Sequence, residues 1–340
     1  MALFKKAPKS SPAAAPAVKP SITFDPFCGD ERARFINAEV RAGRWQSVQE
    51  ICEPITDWQM RNFYAGAAAD VDEFPADWVD ATSGSQFALL ARGTHGVVAA
   101  WRIRGAGMAE TVKGDAWNPF FERLGRAEED LVAASELLAE DSSPWARLIS
   151  CAMGLQLPID EVLRRFHEAT RRTPGDQHAH LAAIQATAKK WRGSHELMFD
   201  VARTADATLP PGSSARAAIC SAHFERRLYM TGWEDRADDA RGYYKDPDVI
   251  SEIERAADRS VFAPEFTQSP YARLCLSHFT FALSMTGDAV KSNRLVALKL
   301  FDRLGVDGVP NGPWADGSLY LTIRSICERE RDRQAADGEG

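Results

Sequence analysis

The sequence has no closely spaced cysteines. Cys28, Cys52, Cys151, Cys220, Cys275 and Cys327 lie far apart, with no CxxC pair among them. This excludes a zinc ribbon and argues against a secreted disulfide framework, and with no signal peptide at the start the expectation is a reduced, cytoplasmic protein. Long apolar runs are also missing. The most apolar stretch, Phe87 to Ile103, is interrupted by Arg92, His95 and Arg102 and is too short and polar to insert in a membrane. No segment alternates apolar and polar residues over a convincing strand length. Phosphate-binding loops are absent as well, since GAGMAETVKGD (Gly105–Asp115) matches neither GxGxxG nor GxxxxGK[ST]. Positive charge is scarce. The net charge is −7, and setting aside the lysines of Met1–Pro20 (Lys5, Lys6, Lys9, Lys19) leaves 37 basic against 48 acidic residues, a balance of −11. General nucleic-acid binding is therefore not expected, because counterion release needs clustered cations.

Helical spacing fills the rest of the chain. In VLRRFHEATRR (Val162–Arg172), Val162, Leu163, Phe166 and Ala169 form one face and Arg164, Arg165, Glu168 and Arg172 the other, and Pro174 with Gly175 ends the helix. The same reasoning predicts helices near 30–42, 44–53, 57–69, 85–103, 117–139, 144–156, 159–172, 176–191, 194–208, 213–231, 234–243, 247–259, 270–286, 289–304 and 316–330. The expected organisation is a disordered basic tail over 1–20, an N-terminal helical lobe over 21–104, a helical-repeat region over 117–330 and a disordered tail over 331–340. Gly105–Ala116 is read as the separating loop.

A duplication marks the second half. ICSAHFERRLYMTG (Ile219–Gly232) aligns without gaps to LCLSHFTFALSMTG (Leu274–Gly287), sharing C-x-x-H-F-x-x-x-L-x-M-T-G at an offset of 55 residues. Weaker copies place Gly43 after Phe35 and Gly193 after Ile184, each glycine expected to leave a helix in the left-handed conformation.

In these segments the chain resembles the tetratricopeptide-like helical repeats: Phe224 and Gly232, Phe279 and Gly287, and Gln185, Gly193, Ala202, Ala205 and Pro210 occupy the family's characteristic slots. KWRGSHELMF (Lys190–Phe199) is similar to a stretch of bacterial proteins built of such repeats. Gln185, Glu225 and Thr280 depart from the usual apolar or small residues, and the offset exceeds the usual period. The resemblance covers roughly residues 144–304 and implies an all-α, right-handed solenoid of helix-turn-helix pairs whose first helices line a concave groove. Carried over position by position, the groove comprises His180, Ala183, Thr187 and Lys190; Ile219, Ala222, Arg226 and Tyr229; and Leu274, Ser277, Phe281 and Ser284. Lys190, Arg226, Tyr229 and Phe281 would suit a protein or peptide with an acidic group and an apolar side chain.

Catalytic and metal signals are weak beside this. Cys220 with His223, or Cys275 with His278, has the i, i+3 spacing of a thiolate–imidazolium pair, but duplication in one register argues for packing. Among His167, His178, His180 and His195, the pair two residues apart points about 200° apart on a helix, and His180 and His195 fall roughly 19 Å apart along a helix hinged at Gly193. No catalytic residue, metal site or cofactor is expected. Trp45, Trp191 and Trp233 beside the hinge glycines read as wedges between helices. Arg164, Arg165, Arg171, Arg172, Lys189, Lys190 and Arg192 form a local basic cluster. The expectation is a non-catalytic protein- or peptide-binding scaffold; the alternative is an enzyme with His180, His223 or His278 as base.

Overall fold

The computed structural model describes residues 21–105 and 116–338, and within them every regular element is helical. The helices are α1 (Glu31–Arg41), α2 (Trp45–Cys52), α3 (Trp58–Ala69), α4 (Asp77–Ala81), α5 (Gln86–Arg104), α6 (Trp117–Leu137), α7 (Ser143–Gly154), α8 (Ile159–Arg172), α9 (Gln177–Thr187), α10 (His195–Thr208), α11 (Ala217–Gly232), α12 (Ala237–Gly242), α13 (Pro247–Asp258), α14 (Ala272–Thr286), α15 (Ser292–Leu304) and α16 (Gly317–Gly338). The expected tail over 1–20 and most of the 105–116 loop lie outside the described residues. Residues 331–338, expected as a tail, continue α16 instead. The short α4 has no counterpart in the sequence reading.

Local chemistry sets many of the starts. Asp30, Asp57, Ser85, Asp176, Ser194 and Asp246 each accept a first-turn backbone N–H, the capping that unpaired helix donors require. The hinge glycines follow two different rules. Gly43 is left-handed at φ +71, as expected. At the α9–α10 hinge it is Arg192 that is left-handed (φ 74), and Gly193 is needed for space, since a Cβ there would lie 1.8 Å from the Thr187 carbonyl oxygen. Gly287 is right-handed at φ −60.

Two apolar cores meet at α7. The N-terminal core includes Ile36, Trp78, Phe87 and Leu90 together with Phe120, Leu124 and Leu131 of α6, so α6 belongs with α5 and the 104/117 division falls inside this core. The C-terminal core runs from Ala146 and Ile149 through Phe279, Phe301 and Tyr320. Leu148 and Cys151 of α7 face the first core while Ala146 and Ile149 face the second. Arg165, placed by periodicity on the solvent face of α8, is instead buried, bonded to Glu128, Glu161 and the Leu148 carbonyl. The first described residues also reach the far end of the chain: Ile22 and Phe24 pack on the C-terminal core, and the Asp25 N–H donates to Val309 O at 2.8 Å. Gly29 and Gly308, both at positive φ, allow this close backbone approach.

Candidate binding cavity between the two cores

A cavity of about 390 Å³ opens where the two cores adjoin. Its walls come from Asp25–Cys28, α3, Val98 of α5, α7, the start of α9, Tyr271 with Leu274, and Pro310–Asn311. Arg147 enters from α7. Its Nε donates to Asn62 Oδ1 at 2.6 Å and its Nη2 to the Asn62 carbonyl at 3.0 Å. Gly66, one turn further along α3, leaves room for the guanidinium, because a Cβ there would sit 3.0 Å from Nη2. Burial pushes the Arg147 pKa down to about 10, against the partial support of the Asp176 charge.

The start of α9 forms the facing wall. Asp176 caps the helix through Ala179 N–H (3.0 Å) and accepts the Ser142 hydroxyl at 2.9 Å. Burial raises its carboxyl pKa. Gln177 N–H donates to Gln59 Oε1, and Gln177 Nε2 donates to the Tyr271 carbonyl, both at 2.9 Å. A carbonyl only accepts, so this second bond orients the amide and leaves Oε1 as the unused end. Gln177 Oε1 and His178 Nε2 are buried and have no hydrogen-bond partner among the described residues. Burial, with Arg147 nearby, drives the His178 pKa well below its ordinary value. A shelf of polar bonds braces the site. Arg61, fully buried, donates to the Cys52 and Glu53 carbonyls and to Gln86, and pairs with Asp141 at 3.2 Å.

The expected groove residues do not share an open face. His180 is buried, its Nδ1 donating to the Asp176 carbonyl at 2.8 Å, and burial lowers its pKa to about 4. Thr187 is fully buried and donates to Ala183 O. Ser277, Phe281 and Ser284 are covered because the segment before α16 folds back over α14. Trp314 Nε1 donates to Ser277 Oγ at 2.7 Å and its ring stands edge-on to Phe281 at 5.3 Å, while Cys327 of α16 reaches Ser284. Lys190, Arg226 and Tyr229 remain partly exposed. The two cations are neutralised within the chain, Lys190 by Glu225 at 2.6 Å and Arg226 by Glu234 at 2.9 Å. Tyr229 stacks on Trp233 and meets the edge of His195. The wider basic cluster is similarly engaged: Arg164 pairs with Glu161, and Arg171 and Arg172 with Glu168.

The duplicated motif occupies helix contacts. Cys220 and Cys275 are buried, and burial holds both as thiols, Cys220 well above its ordinary pKa and Cys275 at about 12. His223 engages both ring nitrogens, Nδ1 with the Tyr243 hydroxyl at 2.8 Å and Nε2 with Glu252 at 3.1 Å. Burial alone would raise the Glu252 pKa, but hydrogen bonds from His223 and Arg203 overcome it and hold the group at about 2. A histidine between a carboxylate and a hydroxyl has the outline of an oriented base. With both nitrogens engaged, however, neither is open to a substrate proton. His278 is held near 4 by burial. His167 and His180 border one cavity of about 420 Å³, yet among the described residues no group of three His, Cys, Asp or Glu side chains is placed to hold a metal ion.

Sequence reasoning did not find Arg147, Gln177 and Asn62 and considered His178 only as a metal ligand. One signal was present, a lone arginine within the apolar stretch of SPWARLIS. Among the described residues no helix is long and apolar enough to cross a membrane. No family model matches the chain, and no curated protein or solved structure shows significant similarity to it.

Proposed function

We propose that the chain is a non-catalytic binding protein on a right-handed, tetratricopeptide-like helical solenoid, and that its ligand enters the cavity between the two cores. The neighbour order supports the scaffold half of this reading. α7 packs on α8 and α9, α9 on α10 and α11, α11 on α13 and α14, and α14 on α15, as stacked helix pairs do. The observation that carries the binding half is the cavity itself. It lies between two cores, as ligand sites commonly do, and combines apolar walls with polar atoms that have no partner among the described residues. A protein or peptide partner would then insert an end or a side chain, whereas a small molecule would be enclosed.

The test is a thermal-shift and calorimetric screen of the full chain against short peptides and small organic molecules. Each ligand found is then measured on Leu181→Trp, which fills the cavity, and on Lys190→Glu/Arg226→Glu, which reverses the expected groove charges. Binding lost in Leu181→Trp and kept in the charge-reversed protein supports the cavity. The opposite pattern overturns it in favour of the groove.

A further inference from the structure

We infer that this cavity is a site for a small organic monocarboxylate with an adjacent N–H donor and an apolar side group, anchored on the Arg147 guanidinium. The inference rests on the cavity being the binding site and adds its chemistry.

The first argument compares Arg147, which is half-buried at the cavity wall, with three arginines that are buried. Arg61 has Asp141, Arg165 has Glu128 and Glu161, and Arg216 has Asp206 as ion-pair partners. Arg147 has the side chain and backbone of Asn62, both neutral, and no ion pair among the described residues. A largely desolvated cation whose counter-charge, Asp176, makes no ion pair with it is costly, and an anionic ligand on the guanidinium lowers that cost. None of the acids bordering the cavity makes an ion pair with Arg147, and Asp176 supports it only at longer range. Asp176 is engaged by Ala179 and Ser142, Asp25 by Arg34, and Asp70 by Arg102.

The geometry of the guanidinium selects the type of anion. Of its five N–H donors, Nε–H and one Nη2–H go to Asn62, which leaves the Nη1/Nη2 edge for a bidentate carboxylate. One positive charge, already partly offset by the Asp176 carboxylate, balances a monoanion better than a dianionic phosphate. The second requirement comes from α9. Gln177 lines the cavity and its buried Oε1 has no donor among the described residues, so a ligand N–H would satisfy it. Phe63, Val98, Leu181 and Leu274 supply apolar wall. A volume of about 390 Å³ is near the small end of ligand pockets and suits a ligand the size of an acylated amino acid.

The probes are N-acetyl-leucine, N-acetyl-leucinamide, 4-methylpentanoate, inorganic phosphate and a pentapeptide with a free C-terminal leucine, titrated into the full chain by calorimetry. N-acetyl-leucine is expected to bind about tenfold or more tighter than its amide, and more tightly than 4-methylpentanoate, which lacks the N–H. The first preference disappears in Arg147→Gln and the second in Gln177→Met. The comparison of acid with amide is made on the native protein, so it stands even if Arg147→Gln unfolds. Pentapeptide binding equal to that of N-acetyl-leucine identifies the source as a chain terminus, and a non-binding pentapeptide identifies it as a free acid. Equal affinity for acid and amide, equal competition by phosphate, or no binding by any carboxylate probe overturns the inference. If the amide still binds and loses that binding in Leu181→Trp, the cavity reading survives without the carboxylate.

Discussion

Protonation of His180 is expected to destabilise the fold at mildly acidic pH, by an amount that can be worked from its surroundings. The ring is 4% exposed, stands edge-on to Phe166 at 5.1 Å, and donates from Nδ1 to the Asp176 carbonyl. Burial brings its pKa from the ordinary 6.5 to about 4. The folded protein therefore keeps the ring neutral between these values while the unfolded chain takes up a proton, so stability falls as pH decreases from 6.5 and levels off below about 4. At about 1.4 kcal/mol per pH unit, lowering the pH from 7 to 5 removes about 2 kcal/mol through this residue. His180→Gln lacks the titration. Urea unfolding of both proteins at pH 7, 6 and 5 should show a stability gap that is largest at pH 7 and narrows by about 2 kcal/mol at pH 5. His278, which burial also holds near 4, acts equally in both proteins and cancels. Parallel stability curves would refute the reasoning, since they would show that His180 takes up its proton in the folded state at an ordinary pKa.

Other perturbations test the remaining structure. Arg61→Met leaves Asp141 buried without its cation and should lower unfolding stability by about 3–5 kcal/mol, with part of the loss recovered by adding Asp141→Leu. Gly193→Ala drives a methyl group into the Thr187 carbonyl and should cost about 1–3 kcal/mol or more. Gly232→Ala, where nothing lies within 4 Å of the added carbon, should be neutral or stabilising by about 0.5–1 kcal/mol, and thermal melts separate the two. Glu252 has a lowered folded pKa of about 2, so its contribution is complete above about pH 4.5 and is lost as pH falls through 2; Glu252→Gln should flatten that part of an acid-unfolding profile. Trp314→Ala should cost about 3–5 kcal/mol and uncover the α14 face, read as increased amide exchange around Ser277 and Phe281.

Helix positions were readable in the sequence because their causes are local. Aspartate or serine caps, proline and glycine stops, and apolar residues three and four apart act within one or two turns, so α7, α8 and α10 fall close to the predicted spans. The assignment of Cys220 and Cys275 to packing rested on their duplication, and both thiols are buried. What could not be read depends on residues far apart in sequence. Whether Ser277 and Phe281 face water depends on where Trp314 lands, 37 and 33 positions later. Arg165 lies on the polar side of α8 by periodicity, but α6 and α7 supply the acceptors that make its burial affordable. The cavity is the extreme case, since Asn62, Arg147, Gln177 and Tyr271 meet only when two cores pack around α7. Short-range hydrogen bonding and periodicity determined that the described residues are helical and where most of their helices lie, though not α4 or the length of α16. Tertiary packing alone decided which charges lost their water and which polar atoms were left without a partner, because desolvation depends on everything that surrounds a group.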